Sequence, residues 1–412
     1  MAVIKAFRGV RPVRHLVEQV ASPPYDVLSS KEALAMAGGN PYSFLHVGKP
    51  EIDLPPGIDL YDDRVYHKGR ENFQRLITDG VLFRDAADSL YIYRQRMGDH
   101  LQTSLAAGAS VDDYDTDVIR KHELTRQDKE DDRTRHVSEL SAQTGPVFLT
   151  YHARADLDAR IESACRREPE YHFISADGIE HWFWVVSDPG WIADVAAIFR
   201  QIPHLYVADG HHRSAAASRV RRMRRDANPK HTGREDYNFF LAYIFPHNQL
   251  QIMDYNRVVH DLHGLDPAAF LARLQPVFDV APADSGRPER RHEFRMFLEG
   301  RWHRLSPRPG TFPADDPVRS LDVSILQENL LAPVLGIGDP RKDKRIDFVG
   351  GIRGIGELER LVRSGEAAVA FALFPTSVDE LMAIADAGRT MPPKSTWFEP
   401  KLKDGLVSHL LD

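Results

Sequence analysis

The run Leu205-Tyr206-Val207-Ala208-Asp209-Gly210-His211-His212-Arg213 carries the densest group of chemically able residues in the chain, and Ser214-Ala215-Ala216-Ala217 follows it. An apolar strand pattern meets Asp-Gly and a helix pattern begins at once, so the first helical N–H groups point out of the turn. Those donors, with the positive end of the helix dipole, make a pocket for an anion such as phosphate. Gly210 lets a phosphate approach the backbone, and Arg213 can offer a bidentate guanidinium. Asp209 alone would read as an ordinary helix cap. Two histidines and an arginine directly after the glycine shift the reading towards phosphate handling.

A second string, Val118-Ile119-Arg120-Lys121-His122-Glu123-Leu124-Thr125, sets Glu123 between a histidine and an apolar residue, beside two cations. Such a setting can keep a carboxylate ionised and aimed as a general base. The string is not a zinc-protease helix, because the fourth position after His122 is Arg126. A third string, Pro393-Lys394-Ser395-Thr396, offers an ammonium and two hydroxyls to a carboxylate or phosphate. Without context it reads equally well as a capped turn. Ala21-Ser22-Pro23-Pro24-Tyr25-Asp26 is a rigid polar loop to which the residues alone give no chemical role. The glycines from Gly350 to Gly356 have the wrong spacing for a dinucleotide fingerprint and read as a turn opening a helix. No aromatic residues interleave the arginines from Arg219 to Arg225, so that stretch reads as a solvated helix face.

The elements that must hold these strings are mixed α and β. Strands are predicted over 89–94, 146–151, 204–208, 239–245 and 368–374, and a hairpin pairs 171–174 with 181–186 around Asp177-Gly178. Asp188 and Pro189 open one helix, His211 begins another, and a third covers 378–387. Proline, glycine and aspartate cluster over 49–63, 282–291 and 306–317, which read as linkers or long loops. The resulting division is an amino-terminal α/β segment over 1–100, a phosphate-binding core over 101–255 and a carboxy-terminal α/β domain over 256–412.

Composition narrows the classes further. The 412 residues are 42% hydrophobic and 27% charged, which fits a globular chain of more than one packed unit. The net charge of −7 supplies no basic field for nucleic acid. Cys165 is the only cysteine, so no intramolecular disulfide forms. No window reaches the roughly 20 apolar residues of a membrane span. A cytoplasmic protein with no membrane and no nucleic-acid partner is expected; oligomeric state is not written in the sequence.

The strings Phe7-Arg8-Gly9-Val10-Arg11-Pro12, Ser22-Pro23-Pro24-Tyr25-Asp26-Val27, Asn40-Pro41-Tyr42-Ser43-Phe44, Lys121 to Thr125, Ala208 to Arg213 and Pro392 to Phe398 together resemble the domain-of-unknown-function family catalogued as 1015. They spread over nearly the whole chain. Three of them also resemble, in the same order, motifs of the smaller free-serine kinases of the ParB/sulfiredoxin fold. That resemblance implies a ParB/sulfiredoxin-like nucleotide-binding core with added segments at both ends. It implies transfer of a phosphoryl group from ATP or ADP, with Mg2+, to the hydroxyl of free L-serine. Glu123 would take the hydroxyl proton, with His122 and Asp209 beside it in the catalytic set. Gly210, His211, His212 and Arg213 would hold the nucleotide phosphates, and Lys394, Ser395 and Thr396 the amino acid. This chain departs from those kinases in its added amino-terminal stretch and in the longer separation of Glu123 from Asp209. Two other classes remain open. One is a ParB-like nucleotide switch without turnover, although no basic recognition helix follows Asp254. The other is a metal hydrolase on Asp209, His211, His212 and a distant histidine, disfavoured because adjacent histidines rarely share one metal.

Overall fold

The computed structural model describes residues 1–412, which divide into two compact units. Unit 1 comprises Met1–Leu250 and Pro400–Asp412, and unit 2 is the continuous stretch Gln251–Glu399. Position 100, where one domain edge was expected, begins a strand inside unit 1.

Unit 1 is built on a nine-stranded mixed sheet. Its strands in chain order are β1 (Ile4–Lys5), β2 (Leu90–Met97), β3 (His100–Ser110), β4 (Ile119–Arg120) and β5 (Val147–Tyr151). Then come β6 (Tyr171–Ile174), β7 (Glu180–Val186), β8 (Leu205–Asp209) and β9 (Phe239–Pro246). The spatial order is β4-β8-β5-β9-β3-β2-β7-β6, with β1 added against β3. Most neighbours are antiparallel, but β8 runs parallel to β4 and β9 parallel to β5. The predicted strands and the Asp-Gly hairpin are present, with Gly178 at a φ of 78° in the turn.

The long central strand β3 was not predicted. Its inner half, Leu105-Ala106-Ala107-Gly108-Ala109-Ser110, is fully buried yet made of small residues with weak strand preference. Packing explains the choice. A Cβ on Gly108 would stand 3.0 Å from the Phe239 side chain, so the strand must stay thin where aromatic neighbours cross it. Ile92, Leu105, Val147, Leu149, Val207 and Ile244 fill the main core against Leu157, Val195 and Phe199. Two helices bear on the site, α1 (Gln127–Leu140) and α2 (His211–Ala227). The charged opening of α1 is helical, with Asp131 paired to Arg219 at 2.6 Å. The arginines of α2 are less solvated than expected: Arg221 is buried, paired with Asp115, and Arg224 donates to the Leu411 carbonyl.

Unit 2 holds a six-stranded antiparallel sheet. Its strands are β10 (Tyr255–Val259), β11 (Phe278–Ala283), β12 (Phe294–Leu298), β13 (Arg301–Pro307), β14 (Ile346–Gly350) and β15 (Val369–Ala372). They lie in the order β11-β13-β12-β15-β10-β14. Helix α3 (Ile355–Arg363) covers one face, burying Leu358 with Val258, Phe297 and Val349. Helix α4 (Val378–Asp386) opens on a capping box between Ser377 and Glu380. No helix of the chain is long and apolar enough to cross a membrane.

Candidate functional site

The parallel pairing of β4 with β8 brings two of the chemically able strings together. Leu205 lies opposite Ile119 and Tyr206 opposite Arg120. The chain leaving β4 therefore runs beside the chain entering the turn, and His122 and Glu123 arrive next to Asp209 and His211. The strand edge carries a bulge at Val207–Asp209 against β5, which turns the last residue of β8 towards the helix start.

Gly210 is the helix N-cap, at a φ of 91°, a left-handed conformation that favours glycine. The Gly210 N–H donates to Asp209 Oδ1 at 2.7 Å. The N–H groups of Arg213 and Ser214 donate to the Gly210 carbonyl, at 2.9 and 3.0 Å. The N–H groups of His211 and His212 precede the first intrahelical bond and are the donors a helix start offers to an anion. Asp209 Oδ2 lies 3.4 Å from Lys401 Nζ, and the Asp209 side chain is about half exposed. Burial raises its carboxyl, but Lys401, Arg213 and the Gly210 N–H outweigh that and hold it below the ordinary carboxylate range.

His122 and His211 are buried, 2% and 4% exposed, with rings edge to face at 4.5 Å. Burial pulls His122 down to about 4, against the opposing pull of Asp209 and a hydrogen bond to the Val207 backbone. Burial, with His122 beside it, holds His211 well below its ordinary value. Both rings are neutral near pH 7. His211 Nδ1 stands 3.8 Å from Glu123 Oε2, and the Glu123 side chain is half exposed. Lys121, expected to steady that carboxylate, pairs instead with Asp117 at 2.6 Å and donates to the Tyr114 carbonyl. His212 Nε2 accepts the Arg126 N–H at 3.1 Å.

Arg213 was expected to present its guanidinium to phosphate. In the structure it donates to the Pro146 carbonyl at 2.7 Å and to both carboxylate oxygens of Asp26, at 3.0 and 3.1 Å. Its guanidinium also lies 5.1 Å from the Tyr25 ring centre. The Ser22–Asp26 loop, given no role on sequence, is thus strapped to the base of the Asp209–Arg213 turn. Beneath it lies a cavity of about 30 Å³ lined in part by Tyr25, Arg133, Gly145, Arg213 and Asp404. Asp404 is 4% exposed, with a backbone N–H to the Ser22 carbonyl at 2.9 Å. Burial pushes its carboxyl up to about 7, against Arg213.

Lys401 and Asp404 were missed on sequence. Both sit in the carboxy-terminal tail, far along the chain from Asp209, and no local pattern marks them. The third string lies in unit 2. Lys394 is exposed at a φ of 59°, Ser395 is buried with its hydroxyl donated to the Pro392 carbonyl at 2.6 Å, and Thr396 is partly buried.

A two-unit chain with a large mixed sheet and a strand–glycine–helix turn of this kind is a mixed α/β protein. It belongs to the family described as Protein of unknown function (DUF1015), whose profile matches residues 4–324. No curated protein matches the chain. Among solved structures it is similar to a free serine kinase in complex with AMP, at 12% identity and a TM-score of 0.36, over 72% of this chain and 90% of that one. It is similar to a conserved hypothetical protein from Pyrococcus furiosus at 14% identity and a TM-score of 0.35, over 73% of this chain and 94% of that one. A third similar structure is SbnI with a C-terminal truncation from Staphylococcus aureus, at 13% identity and a TM-score of 0.36, over 73% and 85%.

Proposed function

We propose that the protein is a kinase transferring a phosphoryl group from ATP or ADP to the hydroxyl of free L-serine, on a nucleotide-binding core of the ParB/sulfiredoxin kind. The observation that carries the reading is the parallel β4–β8 pairing, which sets Glu123 Oε2 3.8 Å from His211 on the phosphate turn. A base and a phosphate cradle thereby share one corner of unit 1. The motif order of the free-serine kinases adds the substrate.

Phosphoryl transfer needs phosphate donors, charge neutralisation and a base beside the attacking hydroxyl. The N–H groups of His211 and His212 would hold phosphate oxygens. The serine Oγ would attack the terminal phosphorus, the bond from that phosphorus to the nucleotide oxygen would break, and the hydroxyl proton would pass to Glu123. Neutral His122 and His211 pack behind the carboxylate and put no competing cation against it. Arg213 would act through Asp26, fixing the loop under the turn. Asp209 is ionised and half exposed, and magnesium takes few protein ligands beside phosphate oxygens. A Mg2+ held by Asp209 would neutralise phosphate charge. Lys394, Ser395 and Thr396 are assigned to the amino acid by the same resemblance.

The test is a panel of free amino acids incubated with ATP or ADP and read by mass spectrometry. Phosphoserine should form, threonine should react weakly at best, and alanine should not react, because a site built around a hydroxyl rejects its absence more strongly than an added methyl. Nucleotide turnover that ignores serine, with no phosphoserine formed, would sink the kinase and leave a nucleotide-binding switch.

A further inference from the structure

Four arginines of the chain are buried, and three of them face a carboxylate: Arg11 meets Asp85 at 2.8 Å, Arg221 meets Asp115 at 3.3 Å and Arg295 meets Glu293 at 2.5 Å. The fourth, Arg257 on β10 in unit 2, is 4% exposed and faces none. Its donors go to two backbone carbonyls, that of Tyr255 and that of Lys394, the latter at 2.9 Å. The acids nearest in sequence or register are engaged elsewhere. Asp254 accepts from Asn256, and Asp347 pairs with His260 at 3.0 Å. Burial alone lowers the Arg257 guanidinium to about 10, the direction of a cation kept without a counter-charge.

The residue whose carbonyl Arg257 grips is itself a cation. Lys394 holds a left-handed φ of 59°, uncommon outside glycine, and its Nζ stands 5.5 Å from the Tyr255 ring centre with no carboxylate partner. The Arg257 guanidinium lies 5.3 Å from the Phe348 ring centre. Arg257 is thus tied to the Lys394 backbone by one hydrogen bond, and the two side chains lie against neighbouring aromatic rings, those of Phe348 and Tyr255, whose centres are 5.9 Å apart. Keeping a guanidinium buried in that way is costly unless an anion joins it.

We propose that Arg257 and Lys394 form a receptor for the carboxylate of a small molecule. A guanidinium has five N–H donors, and two of Arg257's are spent on carbonyls. The remainder suit a planar monoanion, which a guanidinium grips in a fork, better than a phosphate dianion that calls for more donors. Arg257 reads the carboxylate from within the sheet, and Lys394 closes on it from the Pro392–Thr396 turn. The choice of L-serine as the first ligand rests on the kinase reading; the receptor itself does not.

The experiment is calorimetric titration of the full chain with L-serine, L-serinamide, glycine, acetate and inorganic phosphate, on wild type, Arg257→Gln and Lys394→Gln. Phosphoserine formation is followed in parallel. Lys394 is exposed, so its variant keeps the test sound if Arg257→Gln folds poorly. At least one small carboxylate should bind wild type, the amide should bind about 10-fold or more weakly, and each variant should lose a similar factor. Nucleotide binding should persist in both variants. If a carboxylate other than serine binds in this way and no phosphoserine forms, the receptor stands and the kinase falls. If phosphoserine forms with an unchanged KM for serine in both variants, the receptor falls and the kinase stands. Equal binding of serine and serinamide, preference for inorganic phosphate, or no binding of any carboxylate would each overturn the proposal.

Discussion

Glu123 is the residue on which the proposed chemistry turns, and its surroundings make a sharp test. It is half exposed beside two imidazoles that burial keeps neutral, so Glu123→Gln removes a proton acceptor while keeping the size of the side chain. The variant should lower kcat by roughly 10²- to 10⁴-fold while nucleotide affinity stays within a few-fold, checked by steady-state kinetics beside nucleotide titration. Turnover at the wild-type rate would remove Glu123 from the mechanism. Arg213 shows why residue type alone is a weak guide to role. Sequence identified it as a cation next to a phosphate turn, but its guanidinium is taken by Asp26 and the Pro146 carbonyl. Spacing along a chain cannot reveal which distant acid will claim an arginine.

The unit that positions these side chains is β8 with the turn and α2. Gly210 is its hinge: at a φ of 91°, an added Cβ would stand 3.4 Å from Val147 Cα. Gly210→Ala should therefore cost about 1–2 kcal/mol, read as a lower urea midpoint, and weaken nucleotide binding because the N–H groups of His211 and His212 shift. An unchanged midpoint would mean that the turn tolerates a side chain. This strand–turn–helix was legible in sequence because it is local: an apolar run, Asp-Gly, then alanines for close packing. The hairpin at Asp177-Gly178 and the cap at Asp188 were legible for the same reason. What stayed hidden was non-local. Strand β3 escaped notice because Ala106, Ala107, Gly108 and Ala109 are chosen for thinness between neighbours rather than for strand preference. The partnership of Glu123 with His211 was suggested by motif order, but its cause, the β4–β8 register, is a tertiary fact. Lys401 beside Asp209 and Asp404 beneath Arg213 carried no signal at all, since the whole of unit 2 lies between them and their partners along the chain, 192 residues separating Lys401 from Asp209.

Unit 1 is assembled from both ends of the chain, and its last thirteen residues, Pro400–Asp412, behave as a structural part of it. Leu406, Val407 and Leu411 are buried, the Ser408 N–H meets the Val10 carbonyl at 2.8 Å, and Lys403 pairs with Asp177 at 2.7 Å. Three such side chains contribute about 6 kcal/mol of burial, comparable to the whole stability of an ordinary domain. A chain ending at Glu399 should accordingly lose cooperative unfolding of unit 1, seen as loss of near-ultraviolet circular dichroism and of a urea transition; an unchanged transition would contradict this. The response to pH follows from buried groups that titrate away from their usual values. Burial depresses His122 and His136 to about 4 and His181 to about 3, so between roughly pH 6.5 and 4 the unfolded chain binds more protons than the folded one. Stability from these rings is full above that window and is lost as pH falls through it. Asp404 runs the other way. Burial raises it from 3.8 to about 7, so in that window the folded state keeps a proton the unfolded chain has released, and stability falls as pH rises. Asp404→Asn removes the burden while keeping the shape of the side chain. Measured by urea unfolding, the variant's stability relative to wild type should rise by about 2.5 kcal/mol between pH 5 and pH 8. A difference that stays flat, or falls, would show that Arg213 and Arg133 already hold Asp404 ionised throughout, and that the carboxyl beneath the Asp209–Arg213 turn is an ordinary ion-pair partner.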